Sequence, residues 1–350
     1  MENIKVIFWG LGVIGSEMAR MILDKEGLEI VGAIDKEKSK VGLKLSEYLN
    51  YGNSYIVINN NPIEILKSVE ADIVILAIDS DSFVESIFPK IKLIIQNKIN
   101  CIIISEEMIY PNSIESNLSK ELDDLAKINN VTVLGTGINT GFMLNSLIMM
   151  LTASYKNIKS IRASRVTDLS GLGRTIIKSQ GVGTTIQEFE KGTERGTIKG
   201  QIGFAQSISM IANTLGLRYD EIVESKEPII SNTYRETDTV IVHPGMVAGC
   251  NHIAIAYRNN KKIIALEHTQ QIYPQCEGFE TGDYIDIYGN GNLHLCITQD
   301  ICSNIGTAAV AINMIPQVLS SKSGLKTMID MQIPHVIENN FVDQLKYYLK

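Results

Sequence analysis

The chain has 350 residues, enough for two domains, and its 45% hydrophobic and 20% charged side chains support packed cores and exclude global disorder. A formal net charge of −7 argues against a nucleic-acid partner. Five cysteines (Cys101, Cys250, Cys276, Cys296 and Cys302) and five histidines show neither C-x-x-C nor H-x-x-x-H spacing, so no metal site is expected.

The cysteines read as reduced thiols. The start lacks a basic leader, and no apolar run approaches the roughly 18 residues of a membrane span. A cytoplasmic protein without a membrane partner is the expectation.

In chain order, Ile4–Trp9 is an apolar strand running into Gly10-Leu11-Gly12-Val13-Ile14-Gly15, a Gly-x-Gly-x-x-Gly turn. Ser16–Leu23 reads as a helix, and Leu28–Ile34 as a second strand ending on Asp35. An acid about 20 residues beyond the third glycine completes a dinucleotide-binding fingerprint. Gly10 permits the tight turn, Gly12 lets a pyrophosphate approach, and Gly15 lets helix and strand pack closely. The helix start offers free N–H groups to phosphate.

Lys36–Asn53 is polar, Tyr55–Ile58 is a candidate third strand, and Pro62–Val69 a short helix. Ala71–Ile78 is an unbroken apolar run, the mark of a strand buried on both faces. It ends at Asp79-Ser80-Asp81-Ser82, which can line a cofactor crevice. Residues 83–97 form a helix, Cys101–Ile104 a fifth strand, 114–129 a helix and Val131–Leu134 a sixth strand. Alternating strands and helices give a doubly wound parallel sheet, whose ligands belong at the strand carboxyl ends.

After about residue 155 the pattern changes. Ile158–Thr167 reads as a strand and a glycine-rich stretch follows. Strand-like runs come later at Thr237–Val242, His252–Arg258, Lys261–Gln270, Tyr284–Tyr288 and Asn292–Thr298. The fold class is therefore α/β: an N-terminal Rossmann domain (1–140) plus a C-terminal α+β substrate and oligomerisation domain (141–300) with a mostly antiparallel sheet. A helix and tail (301–350), with the helix closed by Pro316, pack back on the first domain. The open sheet suggests a homodimer.

Four constellations can carry chemistry. Asp35 can accept both adenosine ribose hydroxyls, which favours NAD, while Lys36 and Lys38 can offset the repulsion of a 2′-phosphate. NAD, NADP or both are thus expected. Glu106 and Glu107 follow the fifth strand, where a carboxylate faces the nicotinamide end and can act as general base; acids that merely begin a helix are the alternative. Gly135–Phe142 presents Asn139, Thr140, Gly141 and Phe142 in a turn that can hold the carboxamide or position substrate, or simply make a strand-to-helix corner. In the second domain, Arg165, Asp168, Ser170, Arg174, Lys178 and His252 are candidates, with Arg174 preferred for a substrate carboxylate. His252 and His268 fall in strand-like runs and read as structural.

The opening glycine loop resembles the dihydrodipicolinate reductase-like amino-terminal domain. With Ser105-Glu-Glu-Met-Ile-Tyr-Pro111, Gly135-Thr-Gly-Ile-Asn-Thr-Gly-Phe142, Thr298-Gln-Asp-Ile and Ala308–Pro316, nearly the whole chain resembles the 2,4-diaminopentanoate dehydrogenase family and related NAD(P)-dependent amine dehydrogenases. A reductase proper would need a His-His-x-x-Lys-type motif, which is absent. The resemblance implies oxidative deamination of 2,4-diaminopentanoate at C4, as in ornithine fermentation, giving 2-amino-4-oxopentanoate, ammonia and reduced cofactor. Cofactor contacts would fall on Gly10–Gly15, Asp35, Lys36, Asp79 and Asn139. Glu106 or Glu107 would be the base, and Thr140, Gly141, Phe142, Asp168 and Arg174 would meet substrate. Rival readings are a dehydrogenase or reductase of another amine, amino acid or cyclic imine, and a non-catalytic dinucleotide sensor.

Overall fold

A computed structural model describes residues 2–78, 83–113, 116–299 and 301–350. Two compact units emerge: residues 1–142 with 303–350, and residues 143–302.

In the first unit, strands β1 (Ile4–Trp9), β2 (Leu28–Ile34), β3 (Ile73–Leu76), β4 (Asn100–Ile103) and β5 (Thr132–Gly135) run parallel. Alternation buries Ile7, Trp9, Val74, Leu76, Cys101, Ile103 and Val133 against Ile91, Ile94, Ile95, Leu122 and Ala126 of two helices. The intervening strand residues Phe8, Ile75, Ile102 and Leu134 are also fully buried, as a parallel sheet covered on both faces requires. Tyr55–Ile58 is not a strand. Val57 and Asn59 make only isolated bridges, Asn59 to Ile34.

In the second unit, β6 (Ile158–Asp168) is joined by β7 (Glu221–Ile230), a short pair β8 (Arg235–Glu236) and β9 (Ile241–Val242), and β10 (Val247–Arg258), β11 (Lys261–Gln271), β12 (Gly282–Gly289) and β13 (Asn292–Thr298). The six-stranded sheet has the order β13-β12-β6-β11-β10-β7. All its pairings are antiparallel except β6 with β11. One face packs Ile161, Ala163, Ala254, Ala256, Leu266 and Ile285 on Phe204, Ile208 and Ile211 of the helix Phe204–Leu215. The opposite face presents Arg162, Ile253, Ile255, Tyr257 and Glu267, from half-buried to exposed. Thr237–Val242 is mostly not strand, because the Thr237 hydroxyl accepts the Thr239 and Val240 N–H groups and holds a turn.

The carboxyl-terminal segment belongs to the first unit. Its strand β14 (Gly324–Lys326) pairs with β5 and completes a six-stranded sheet ordered β14-β5-β4-β3-β1-β2. Pro316 does not close the preceding helix; it sits in the first turn of the next, Ile315–Ser320, where its missing N–H costs little. Among the described residues, no helix is long and apolar enough to cross a membrane.

Candidate active site

The glycine loop lies at the carboxyl end of β1. Gly10 has φ +101°, and a Cβ there would strike the Ala77 carbonyl at the end of the β3 run, so the loop closes against the next strand only with glycine. Around Gly12 nothing lies within 4 Å of a would-be Cβ, and Gly12 and Val13 are exposed. The helix Val13–Leu23 has no side-chain cap at its start. Its leading N–H groups therefore point to an open cradle that fits a dinucleotide diphosphate.

Asp35 is buried at the end of β2. Its Oδ2 accepts the Leu11 N–H at 2.8 Å and its Oδ1 the Glu37 N–H at 2.9 Å. The cation beside it is not Lys36 or Lys38, both exposed, but Lys40, whose Nζ lies 3.3 Å from Asp35 Oδ2 and 2.7 Å from Glu37 Oε2. Lys40 also donates to the Leu11 carbonyl, which accepts the Tyr48 hydroxyl as well. Burial alone would raise the Asp35 pKa; the Glu37 and Leu11 N–H groups and the Lys40 ammonium overcome this and hold it below its ordinary value. Burial works against the charged form of Lys40, yet Glu37 and Asp35 raise its pKa on balance. Lys40 is the residue sequence reading missed. A turn closed by the Lys40 N–H on the Glu37 carbonyl brings it back, and the acid-lysine spacing Glu37 to Lys40 was its only signal. Asp79 lies outside the described residues.

Two turns stand at the next strand ends. After β4, Glu106–Met108 forms one 3₁₀ turn, with Glu106 and Glu107 half-buried. The Ser105 hydroxyl donates to Glu107 Oε2, which fixes that carboxylate. After β5, Gly135 backs directly onto the Met108 carbonyl, where any Cβ would collide. Thr140 is extended (φ −87°, ψ 138°) and Gly141 turns the chain with φ 104°. The Phe142 N–H closes the turn on the Gly137 carbonyl. Gly141 lies against Ile109 and Thr136, so the glutamate turn and the Gly137–Phe142 turn form one packed block in the first unit. The Thr140 hydroxyl is buried without a hydrogen-bond partner among the described residues, a group available to a ligand.

In the second unit, Asp168 is engaged by its own fold. Its Oδ1 accepts the Ser170 and Tyr273 N–H groups and the Ser170 hydroxyl. Arg174 opens the helix Arg174–Ser179 and is exposed, as is Lys178 one turn on. A cation at a helix start opposes the dipole, and like charges four apart repel. Neither side chain has a hydrogen bond or ion pair among the described residues, so both can receive an anion. Arg165 is wholly buried and pairs with Asp283 at 2.7 Å. His252 and His268 are also buried. The Gln201 N–H donates to His252 Nδ1, leaving the Nε2 proton toward Glu224. Gln201 Nε2 donates to the Ile202 carbonyl, which turns its Oε1 to His268 Nδ1, and His268 Nε2 meets the Thr167 hydroxyl. Burial, with the charges of Arg165 and His252, pushes the His268 pKa well below 6.5.

The dinucleotide-type sheet with its three strand-end turns and a second α+β unit defines an oxidoreductase of the two-domain dehydrogenase class. A family model described as dihydrodipicolinate reductase, N-terminus, matches residues 4–105, and one described as 2,4-diaminopentanoate dehydrogenase C-terminal domain matches residues 142–347. The 2,4-diaminopentanoate dehydrogenase of Acetoanaerobium sticklandii is 39% identical over 346 residues, 98% of this chain and 97% of its own length. An amine dehydrogenase from Mycobacterium smegmatis shares the fold at TM-score 0.85 and 24% identity, over 97% of this chain and 98% of that one. An oxidoreductase from Agrobacterium radiobacter in complex with NAD+, L-tartaric acid and magnesium does so at TM-score 0.55 and 11% identity, over 94% and 92%. The chain belongs to the 2,4-diaminopentanoate dehydrogenase family.

Proposed function

We propose that the protein oxidatively deaminates 2,4-diaminopentanoate at C4, giving 2-amino-4-oxopentanoate and ammonia. The observation that carries this reading is the paired carboxylate turn, Glu106-Glu107, at the end of β4, in a chain 39% identical across its length to a 2,4-diaminopentanoate dehydrogenase. A nicotinamide dinucleotide, when bound, accepts the hydride from C4. The cradle at Gly12, the uncapped helix start and Asp35 would hold its diphosphate and adenosine ribose.

The protein groups do the proton work. Only a neutral amine releases hydride readily, so a base first takes a proton from the C4 ammonium. Glu107, fixed by the Ser105 hydroxyl, is assigned that role. Glu106 beside it supplies a second negative charge for a substrate with two ammonium groups. Oxidised C4 is an iminium; Glu107, half-buried, passes its first proton to solvent and, again a carboxylate, takes a proton from the water that attacks C4. Glu107 returns that proton to the carbinolamine nitrogen, the C–N bond breaks as the hydroxyl loses its proton to form the ketone, and ammonia leaves. The Thr140 hydroxyl and Asn139 are assigned to orient the reacting ligands. Arg174, with Lys178, is assigned to the substrate carboxylate, since a guanidinium can bind it in a bidentate pair.

The free thiols, two of them buried, fit a reducing cytoplasm. The outward sheet face around Ile253, Ile255 and Tyr257 supports a homodimer, testable by light scattering. The function itself is tested by offering purified protein each nicotinamide cofactor with a panel of amines and following reduced nicotinamide. Turnover of 2,4-diaminopentanoate above other amines is expected. Reduction with another amine and none with 2,4-diaminopentanoate would overturn the substrate assignment.

A further inference from the structure

The charges around Asp35 are unusual for a site that recognises only a ribose diol. A carboxylate reserved for two ribose hydroxyls works best unneutralised, yet Lys40 is clamped on Asp35 Oδ2 and on Glu37. The Lys40 ammonium also lies 5.5 Å over the Tyr48 ring, so ring, carbonyl and carboxylates hold it at the loop. Lys36, next to Asp35, is exposed and has no ion-pair partner among the described residues. Lys90, half-buried on the helix Phe88–Gln96 that follows β3, donates among the described residues to the Ser86 carbonyl and hydroxyl, at 2.6 and 3.2 Å. Burial, and then the charge of Lys36, lower the Lys90 pKa. The Lys36 charge is thus felt at Lys90, and neither ammonium has an acidic partner among the described residues.

We propose that Lys40, Lys36 and Lys90 form a subsite for the 2′-phosphate of an adenosine ribose, with Lys40 the residue that decides cofactor preference. The assignment rests on the dinucleotide reading of the glycine loop. Lys40 acts twice: it cancels the Asp35 charge that would repel a phosphate, and it can turn its ammonium to that phosphate. Lys36 and Lys90 then gain a counter-ion, which they lack among the described residues. A dianionic phosphate meeting three ammonium groups gains more than a hydroxyl can, and the gain falls with salt.

The test uses the full chain and adenosine fragments that carry no nicotinamide, so the readout is binding rather than turnover. Calorimetric titration with 2′,5′-ADP and with ADP should show the former binding at least about tenfold tighter at low salt, about 1.4 kcal/mol. Lys40→Met should abolish that preference, read as the ratio of the two affinities rather than from either fragment alone. Lys36→Ser, an exposed change that leaves the fold intact, should lower the preference by a smaller factor. Equal binding of the two fragments to the native chain, or an unchanged ratio in both variants, overturns the subsite while leaving the dinucleotide reading standing. If NADH and NADPH also fail to quench Trp9, the single tryptophan at the end of β1, the dinucleotide reading falls and the subsite with it.

Discussion

In the first unit the strands carry Val, Ile and Leu on both faces, and Asp35, the one buried charged side chain among its described residues, stands at a strand end. In the second unit one stretch of the inner sheet face carries Arg165, His252 and His268, with Asp283 and Arg235 also buried. The first unit therefore holds its charge at a strand end, where the Leu11 and Glu37 N–H groups and Lys40 meet it. The second uses buried charge internally: Arg165 with Asp283, and Arg235 with Glu277 at 2.9 Å. The lesson is that burial of a charged group marks a candidate site only when the group lies at an opening. The exposed Arg174 is a better substrate candidate than the buried Arg165.

The largest effect should come from the strand-end carboxylates. Glu107→Gln should lower kcat by about 10² to 10⁴-fold with little change in thermal stability, whereas Glu106→Gln should act mainly on KM. Steady-state kinetics and a melting curve on each variant check this. Full kcat in Glu107→Gln would remove the assignment.

Next, breaking the buried pair in the second unit by Asp283→Ala should destabilise it by about 3–5 kcal/mol, because Arg165 is left uncompensated. Urea unfolding reads the loss. A loss below about 1 kcal/mol, the value of an exposed pair, would contradict the contrast between the units.

Smaller still is the pH dependence of His268. Its folded pKa is depressed, so the unfolded chain takes up the proton first. Stability should fall as pH drops below the ordinary value of 6.5, by up to about 1.4 kcal/mol per pH unit, until the folded pKa is reached. His268→Asn should flatten that slope in denaturation curves between neutral and mildly acid pH. Asp35 behaves differently. Its folded pKa lies below 3.8, so the stability it contributes is present above that value and is lost only as pH falls through the lowered folded pKa. The smallest effect is local: the Asn61 side chain caps the Glu64 N–H, and Asn61→Ala should cost about 1 kcal/mol.

Much of the first sheet was legible because a parallel strand buried on both faces writes itself as an apolar run, and the glycine loop fixes where it turns. β7 was not legible. Its Glu221, Glu224, Lys226 and Glu227 suit an exposed sheet edge and break the apolar pattern. β14 is three residues long, and its pairing with β5 spans the whole second unit. Tyr55–Ile58 had strand composition but ends as bridges only. At the candidate site, the strand-end places of Asp35 and Glu106-Glu107 could be read from position in the pattern. Lys40 reaches Asp35 only through a turn, and the Arg165–Asp283 pair depends on β6 lying beside β12. Asp168 was named as one of several charged residues of the second domain; its Oδ1 is held by the Ser170 and Tyr273 N–H groups, contacts that only the folded turn reveals.

The central claim, hydride removal from C4 of 2,4-diaminopentanoate, is tested most directly with substrate deuterated at C4. The account predicts that the isolated reduced nicotinamide carries the deuterium and that the organic product is 2-amino-4-oxopentanoate with C2 untouched. Deuterium retained in a product oxidised at C2 would contradict it.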